Sequence, residues 1–152
     1  MLRRVLLAAS RSGGVRKAME TAPFSRGVVH RFVAGRTAEE ALTVVRRLTG
    51  GGLLVTVDHL GEDTTDARRA ETVVENYLAL LDLISTAGLG ARAEVSVKLS
   101  AVGQALDEEL ALENARRICA AAKAAGTAVT LDMEDHTTVA STLRILRELR
   151  ED

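Results

Sequence analysis

Three short segments of the chain each end in a Ser/Thr-x-charge pattern. They are Thr56-Val57-Asp58, Ser96-Val97-Lys98 and Thr130-Leu131-Asp132. Side chains alternate between the two faces of an extended strand. One face of each segment is therefore polar and ends in a charge. The other face carries Val55 and Val57, then Val95, Val97 and Leu99, then Val129 and Leu131, and is wholly apolar. Neighbouring parallel strands lie about 4.8 Å apart, so sequential pairing would bring Asp58, Lys98 and Asp132 within roughly 10 Å of one another. A lysine flanked by carboxylates stays protonated. It can then act as a point-charge clamp for a substrate carboxylate or phosphate. A Schiff-base lysine needs a depressed pKa, usually from desolvation or a cationic neighbour, so acidic neighbours favour the clamp. Asp132 could bind a substrate amine, orient a cofactor or pair with an arginine. The plainer alternative is a structural ion pair at the strand ends.

The elements that must position these residues follow from the change of period along the chain. Residues 1–52 read as an N-terminal helical segment. Within it, Thr37-Ala38-Glu39-Glu40 has the capping-box form, with Leu42, Val45 and Leu48 following at helical spacing, and Gly50-Gly51-Gly52 stops that helix. From residue 53 to 152 strands alternate with helices. Strands are expected over 53–58, 94–99 and 128–132, and helices over 66–87, 107–125 and 137–150. In the second helix Val73, Tyr77, Leu80, Leu81 and Ile84 share one side, and the Thr64-Thr65-Asp66 stretch offers its N-cap. Strand–helix alternation implies parallel strands covered by helices. The repeats of about 35 to 40 residues match βα units, of which a closed barrel needs eight. The fold class expected is thus α/β: N-terminal helices, then about three βα units forming a partial (βα)8 barrel. The sequence reads as the first part of something larger, the alternative being a small open three-stranded sheet. In either case the charged residues fall at the C-terminal strand ends, where such folds bind ligands.

Composition excludes several other classes. The 152 residues include 20 Lys+Arg and 21 Asp+Glu, a net charge of -1, which argues against a nucleic-acid-coating protein. Aromatic residues make up 2% with no Trp, so base-stacking platforms are not expected. The single cysteine, Cys119, allows no internal disulfide and fits a reducing cytosol; among Ile118, Ala120 and Ala121 it reads as a packed helix residue. No segment reaches the length of a membrane-spanning helix. The apolar run after Met1-Leu2-Arg3-Arg4 mimics a signal peptide but is too short for one, so a cytoplasmic location is expected. Arg68-Arg69 and Arg116-Arg117 read as solvated helix faces. His30, beside Arg31, reads as a surface or capping residue. His59, His136, Glu134 and Asp135 are of metal-ligating types. However, His59 and Asp135 have the helix-facing parity and Lys98 places a positive charge in the middle, so no metal site is expected.

The residues around the charged row resemble a family. Val55-Thr56-Val57-Asp58-His59-Leu60-Gly61-Glu62, Ser96-Val97-Lys98-Leu99-Ser100-Ala101 and Leu131-Asp132-Met133-Glu134 look like proline dehydrogenase, in particular the single-function bacterial flavoenzymes of actinobacterial type. Arg31-Phe32-Val33-Ala34-Gly35 is similar as well. The resemblance covers essentially the whole chain. It implies a distorted (βα)8 barrel holding FAD at its C-terminal mouth. It also implies oxidation of L-proline to Δ1-pyrroline-5-carboxylate, by hydride transfer from the proline ring to the flavin and reoxidation by a quinone. Lys98 matches the family lysine that binds the proline carboxylate. Asp132 matches the aspartate beside proline and flavin. Met133 stands near the cofactor where the family commonly has a small residue. Asp58 lies in the first-strand motif and carries no assigned role. The family's arginine pair, its active-site tyrosine and most FAD contacts belong to later strands and the last helix. Neither G-x-x-x-x-G-K nor G-x-G-x-x-G occurs here.

Two other readings stand beside this one. A catalytically inactive barrel fragment or interaction module would self-associate through its open strand edges. A Schiff-base barrel enzyme of the aldolase kind would use Lys98 as its nucleophile. The quinone acceptor leaves room for membrane contact, although no segment argues for it.

Overall fold

The computed structural model describes residues 32–61 and 64–151. The expectations for Met1–Ala9, His30 and the helices before residue 32 lie outside the described residues. Residues 37–152 form one compact unit, and the elements below belong to it.

Helix α1 spans Ala38–Gly50. Its start follows from the capping box: the Thr37 side chain accepts a hydrogen bond from the Glu40 N–H at 3.3 Å. Glu39 and Glu40 occupy the first turn and Arg47 the last, each complementing the helix dipole. The short strand β1, Val55–Asp58, follows. It begins later than the sequence suggests, and Leu53 and Leu54 are exposed, Leu54 by 77%. The reason is local. The Leu53 N–H is still tied to the Leu48 carbonyl of α1 at 3.1 Å, and β2 offers its first partner only at Ala93, opposite Val55.

Helix α2 spans Ala67–Thr86, with Asp66 capping it through a 2.8 Å bond from the Arg68 N–H. Strand β2 is Ala93–Lys98. Helix α3 is Glu108–Ala124, capped by Asp107 through the Glu109 N–H at 2.8 Å. Strand β3 is Val129–Asp132, and helix α4 is Val139–Leu149. Helix α4 starts two residues later than expected, because Asp135 organises a turn of its own. The Asp135 Oδ1 accepts from the Thr137 N–H at 2.9 Å and from the Thr137 hydroxyl at 2.7 Å.

The strands pair in parallel in the order β1-β2-β3. Asp58 is level with Ser96, and Lys98 with Asp132. Three consecutive βα units with sequential parallel strands are the arrangement of a (βα)8 barrel, so the expected fold class holds. The apolar strand face meets the helices. Val95, Val97 and Leu99 are fully buried there with Tyr77, Leu81, Ile84 and Ile118, and each such side chain contributes about 1.5–3 kcal/mol. The polar face carries the charged row.

The turn from β2 into α3 follows directly on Lys98 and is tightly packed. Ala101 and Val102 are buried, and the Asn114 side chain donates to the Val102 carbonyl at 2.9 Å. Gly103 sits at φ 111°, where a Cβ would meet the Leu110 side chain at 3.0 Å, so glycine is required. Arg117 is not simply solvated as expected: its guanidinium forks onto Glu71 of α2, with both contacts at 2.7 Å, and ties α2 to α3.

Candidate active site

The polar face of the sheet is built in layers. In the lowest, Glu94 Oε1 accepts from the Thr56 hydroxyl at 2.9 Å and from the Thr130 hydroxyl at 3.3 Å. One carboxylate on the central strand therefore bonds to both neighbours. Above it, Lys98 reaches across the sheet in both directions. Its Nζ donates to Asp58 Oδ2 and lies 3.3 Å from Asp132 Oδ2. The Lys98 side chain is 19% exposed and both carboxylates are more open. The hydrogen bond to the Asp58 carboxylate, reinforced by Asp132, outweighs this partial burial and holds the Lys98 pKa above the ordinary lysine range. A lysine so held is a cation at neutral pH and a poor nucleophile, which weighs against Schiff-base chemistry.

A third layer was not legible as part of the site. Ser100 and Glu134 follow Lys98 and Asp132 on the same face. The Ser100 hydroxyl donates to Glu134 Oε1 at 2.5 Å and its N–H to Glu134 Oε2 at 3.1 Å. Behind the sheet, Tyr77 is another such residue: the helical spacing of α2 marks it only as core. In fact its hydroxyl donates to the Ser96 carbonyl at 2.7 Å and accepts from the His59 N–H at 3.2 Å.

The remaining candidates fall apart spatially. The His59 ring turns to α2, with Nε2 3.2 Å from the Asn76 amide nitrogen, as its parity implies. His136 is 90% exposed and pairs with Asp135. Among the described residues no group of three His, Cys, Asp or Glu side chains is arranged to hold a metal. Burial raises the Cys119 thiol above its ordinary pKa, as befits a packed helix residue. Met133, beside Asp132, is 49% exposed at the rim.

Fold and site together define a βα-barrel protein with a cation held between two carboxylates at the C-terminal strand ends. Comparisons with known proteins narrow this class. A family model described as proline dehydrogenase matches residues 41–152. The chain is 38% identical over 152 residues to proline dehydrogenase 1 of Bacillus subtilis strain 168, covering 100% of this chain and 49% of that protein. It is 40% identical over 125 residues to the proline dehydrogenase of Deinococcus radiodurans, covering 80% of this chain and 40% of that protein. Among solved structures, it superposes on proline utilization A (PutA) from Bdellovibrio bacteriovorus, inactivated by N-propargylglycine. There the TM-score is 0.74 at 22% identity, over 84% of this chain and 16% of that one; this is a likeness of fold. The chain belongs to the proline dehydrogenase family. It spans about half the length of the curated relatives it matches.

Proposed function

We propose that the charged row is the amino-acid-binding part of a site that oxidises L-proline to Δ1-pyrroline-5-carboxylate in the cytoplasm. The observation that carries this reading is the Lys98 ammonium between Asp58 and Asp132. A zwitterionic amino acid presents a carboxylate and an ammonium group a few ångströms apart. Lys98 complements the first and Asp132 the second. A simple anion would suit the row poorly, because its two carboxylates outnumber its one lysine.

Proline dehydrogenases are flavoenzymes, and the residues here can be tested against FAD. Met133 follows Asp132 in the sequence and is exposed, and the Asp132 carboxylate is open at the strand end, which leaves one apolar and one polar group accessible at the rim. That mixture suits the edge of a planar ring system with both apolar and hydrogen-bonding rims. The sequence given has no glycine loop of the phosphate-cradling G-x-x-x-x-G-K or G-x-G-x-x-G type. The residues present thus fit the ring end of the group, with Asp132 and Met133 holding it. When bound, the flavin supplies the acceptor for the hydride from the proline ring, and a quinone then takes the electrons.

The chain's own residues do the remaining work. Lys98 binds and orients the carboxylate. Asp132 Oδ2, 3.3 Å from Lys98 Nζ, accepts the proton that the ring nitrogen gives up as the carbon–nitrogen double bond forms. Asp58 keeps Lys98 charged and fixed.

The test is the visible spectrum of the purified flavin-loaded protein, without oxygen, before and after L-proline. Bleaching of the flavin band by L-proline in the parent protein but not in Lys98→Met is expected. A bound flavin indifferent to L-proline would overturn the reading.

A further inference from the structure

The strands of the sheet end at Lys98 and Asp132, so no backbone ladder fixes the chain beyond them. Yet the spacing of those two side chains is what a bound amino acid would sense. Continuing the β2–β3 register by two residues places Ser100 opposite Glu134. There the side chain of Glu134 replaces the missing ladder. It takes both polar hydrogens of Ser100, the hydroxyl at 2.5 Å and the N–H at 3.1 Å. The carbonyl of Ser100 accepts from the Thr64 N–H at 3.1 Å, in the segment that follows β1. Ser100 is 5% exposed. One buried residue on the central strand's exit is therefore bonded to the exits of both outer strands.

We propose that the Ser100–Glu134 pair is a positioning device: it sets the distance between the mouths of β2 and β3, and thereby the separation of the Lys98 ammonium from the Asp132 carboxylate. Ionised acceptors make shorter and stronger hydrogen bonds than neutral ones, and Glu134 supplies such an acceptor to two donors of one residue. Misplacing a binding group by about 1 Å can cost a large factor in kcat/KM. The substrate part of this inference rests on the proline-oxidation reading; the positioning part does not.

The experiment uses the full flavin-loaded protein with Ser100→Ala, Ser100→Thr and Glu134→Ala. Ser100→Ala deletes only the hydroxyl, and Ser100→Thr keeps it. Three readouts are taken together: KM and kcat for L-proline, the melting temperature, and trace acetylation of Lys98 by acetic anhydride. Exposed Lys123 of the same chain serves as the internal reference for acetylation. The expected result is a KM raised about tenfold in Ser100→Ala and Glu134→Ala with a smaller change in kcat. The Lys98-to-Lys123 labelling ratio should rise about twofold or more as Asp132 drifts from Lys98. Ser100→Thr should restore both. A lower melting temperature with unchanged KM and labelling ratio would make the pair merely structural and overturn the proposal, as would Ser100→Thr behaving like Ser100→Ala. If the parent protein leaves L-proline unoxidised while the labelling ratio still responds, the functional reading fails and the positioning device stands. Should Glu134→Ala fail to fold, the Ser100→Ala and Ser100→Thr comparison decides alone.

Discussion

The hydroxyl of Tyr77 donates to the backbone carbonyl of Ser96 at 2.7 Å, from a helix, through the apolar face of the sheet. The same oxygen accepts the His59 N–H at 3.2 Å, just past the end of β1. A single side chain from α2 thus pins the two strands that carry Asp58 and Lys98. Tyr77→Phe takes that partner from both backbone groups in a partly buried place. The expected cost is about 1–3 kcal/mol, read as a lower urea midpoint with an unchanged slope. A variant as stable as the parent would show that the hydroxyl bonds do not hold the strands.

The same residue gives a pH dependence. Burial pushes the Tyr77 phenol up to about 12. The hydrogen bond to Asp58 raises the Lys98 pKa as well. Both folded values lie above their unfolded ones, so the fold binds these protons more tightly than the unfolded chain does. Their contribution is complete below about pH 10 and is lost as pH rises through the folded values. For Tyr77 the loss amounts to roughly 3 kcal/mol across about two pH units. Urea midpoints measured over this range should fall in the parent and fall less in Tyr77→Phe. Parallel curves would remove Tyr77 from the explanation.

How much of this was legible in the sequence depends on the kind of signal each residue leaves. Asp58, Lys98 and Asp132 announce themselves because a period of two, repeated on three segments, sorts polar from apolar faces without any tertiary information. The caps are local signals: Thr37 is readable from its capping box and Asp66 as one residue of a candidate stretch, whereas Asp107 reads as the first residue of its helix and the structure makes it the cap. Helical spacing alone puts Tyr77 on the apolar face of α2, but its role depends on which carbonyl lies under that face, and periodicity carries no such information. Ser100 and Glu134 fall in segments that read as loops. Their pairing follows only once the β2–β3 register is known, and register is a long-range property. The late start of β1 has the same origin: Leu53 and Leu54 are strand-forming residues, but β2 has no residue to pair with them.

Gly90 shows a constraint of a different kind. Its backbone has no positive φ, yet a Cβ there would run into the backbone carbonyls of Ala125 and Gly126. The α2–β2 turn and the α3–β3 turn pack backbone to backbone at the N-terminal ends of the strands, opposite the charged row. Neither carbonyl belongs to a flexible side chain, so Gly90→Ala must push the two turns apart. Overpacking of this sort costs about 1–3 kcal/mol. The melting temperature should fall while KM for L-proline changes little, because the site lies at the other strand ends. A stability equal to the parent's would mean the turns separate freely.

Asp58 and Asp132 both face Lys98, but they should not be equivalent. Asp58 is the hydrogen-bond partner that dominates the raised Lys98 pKa, with Asp132 the weaker contributor. Asp58 is also the less exposed of the two, at 34% against 45%. Asp58→Asn therefore removes the main fixing charge and frees Lys98 to lean toward Asp132. The clamp proposed for the substrate carboxylate is then misplaced, and KM for L-proline should rise, about tenfold, with kcat changed less. Asp132→Asn removes the group proposed to take the proton from the ring nitrogen, so kcat should fall and KM respond less. Steady-state kinetics of the two variants side by side separate these roles. If both variants change KM and kcat in the same proportion, the division of labour between the two carboxylates is wrong.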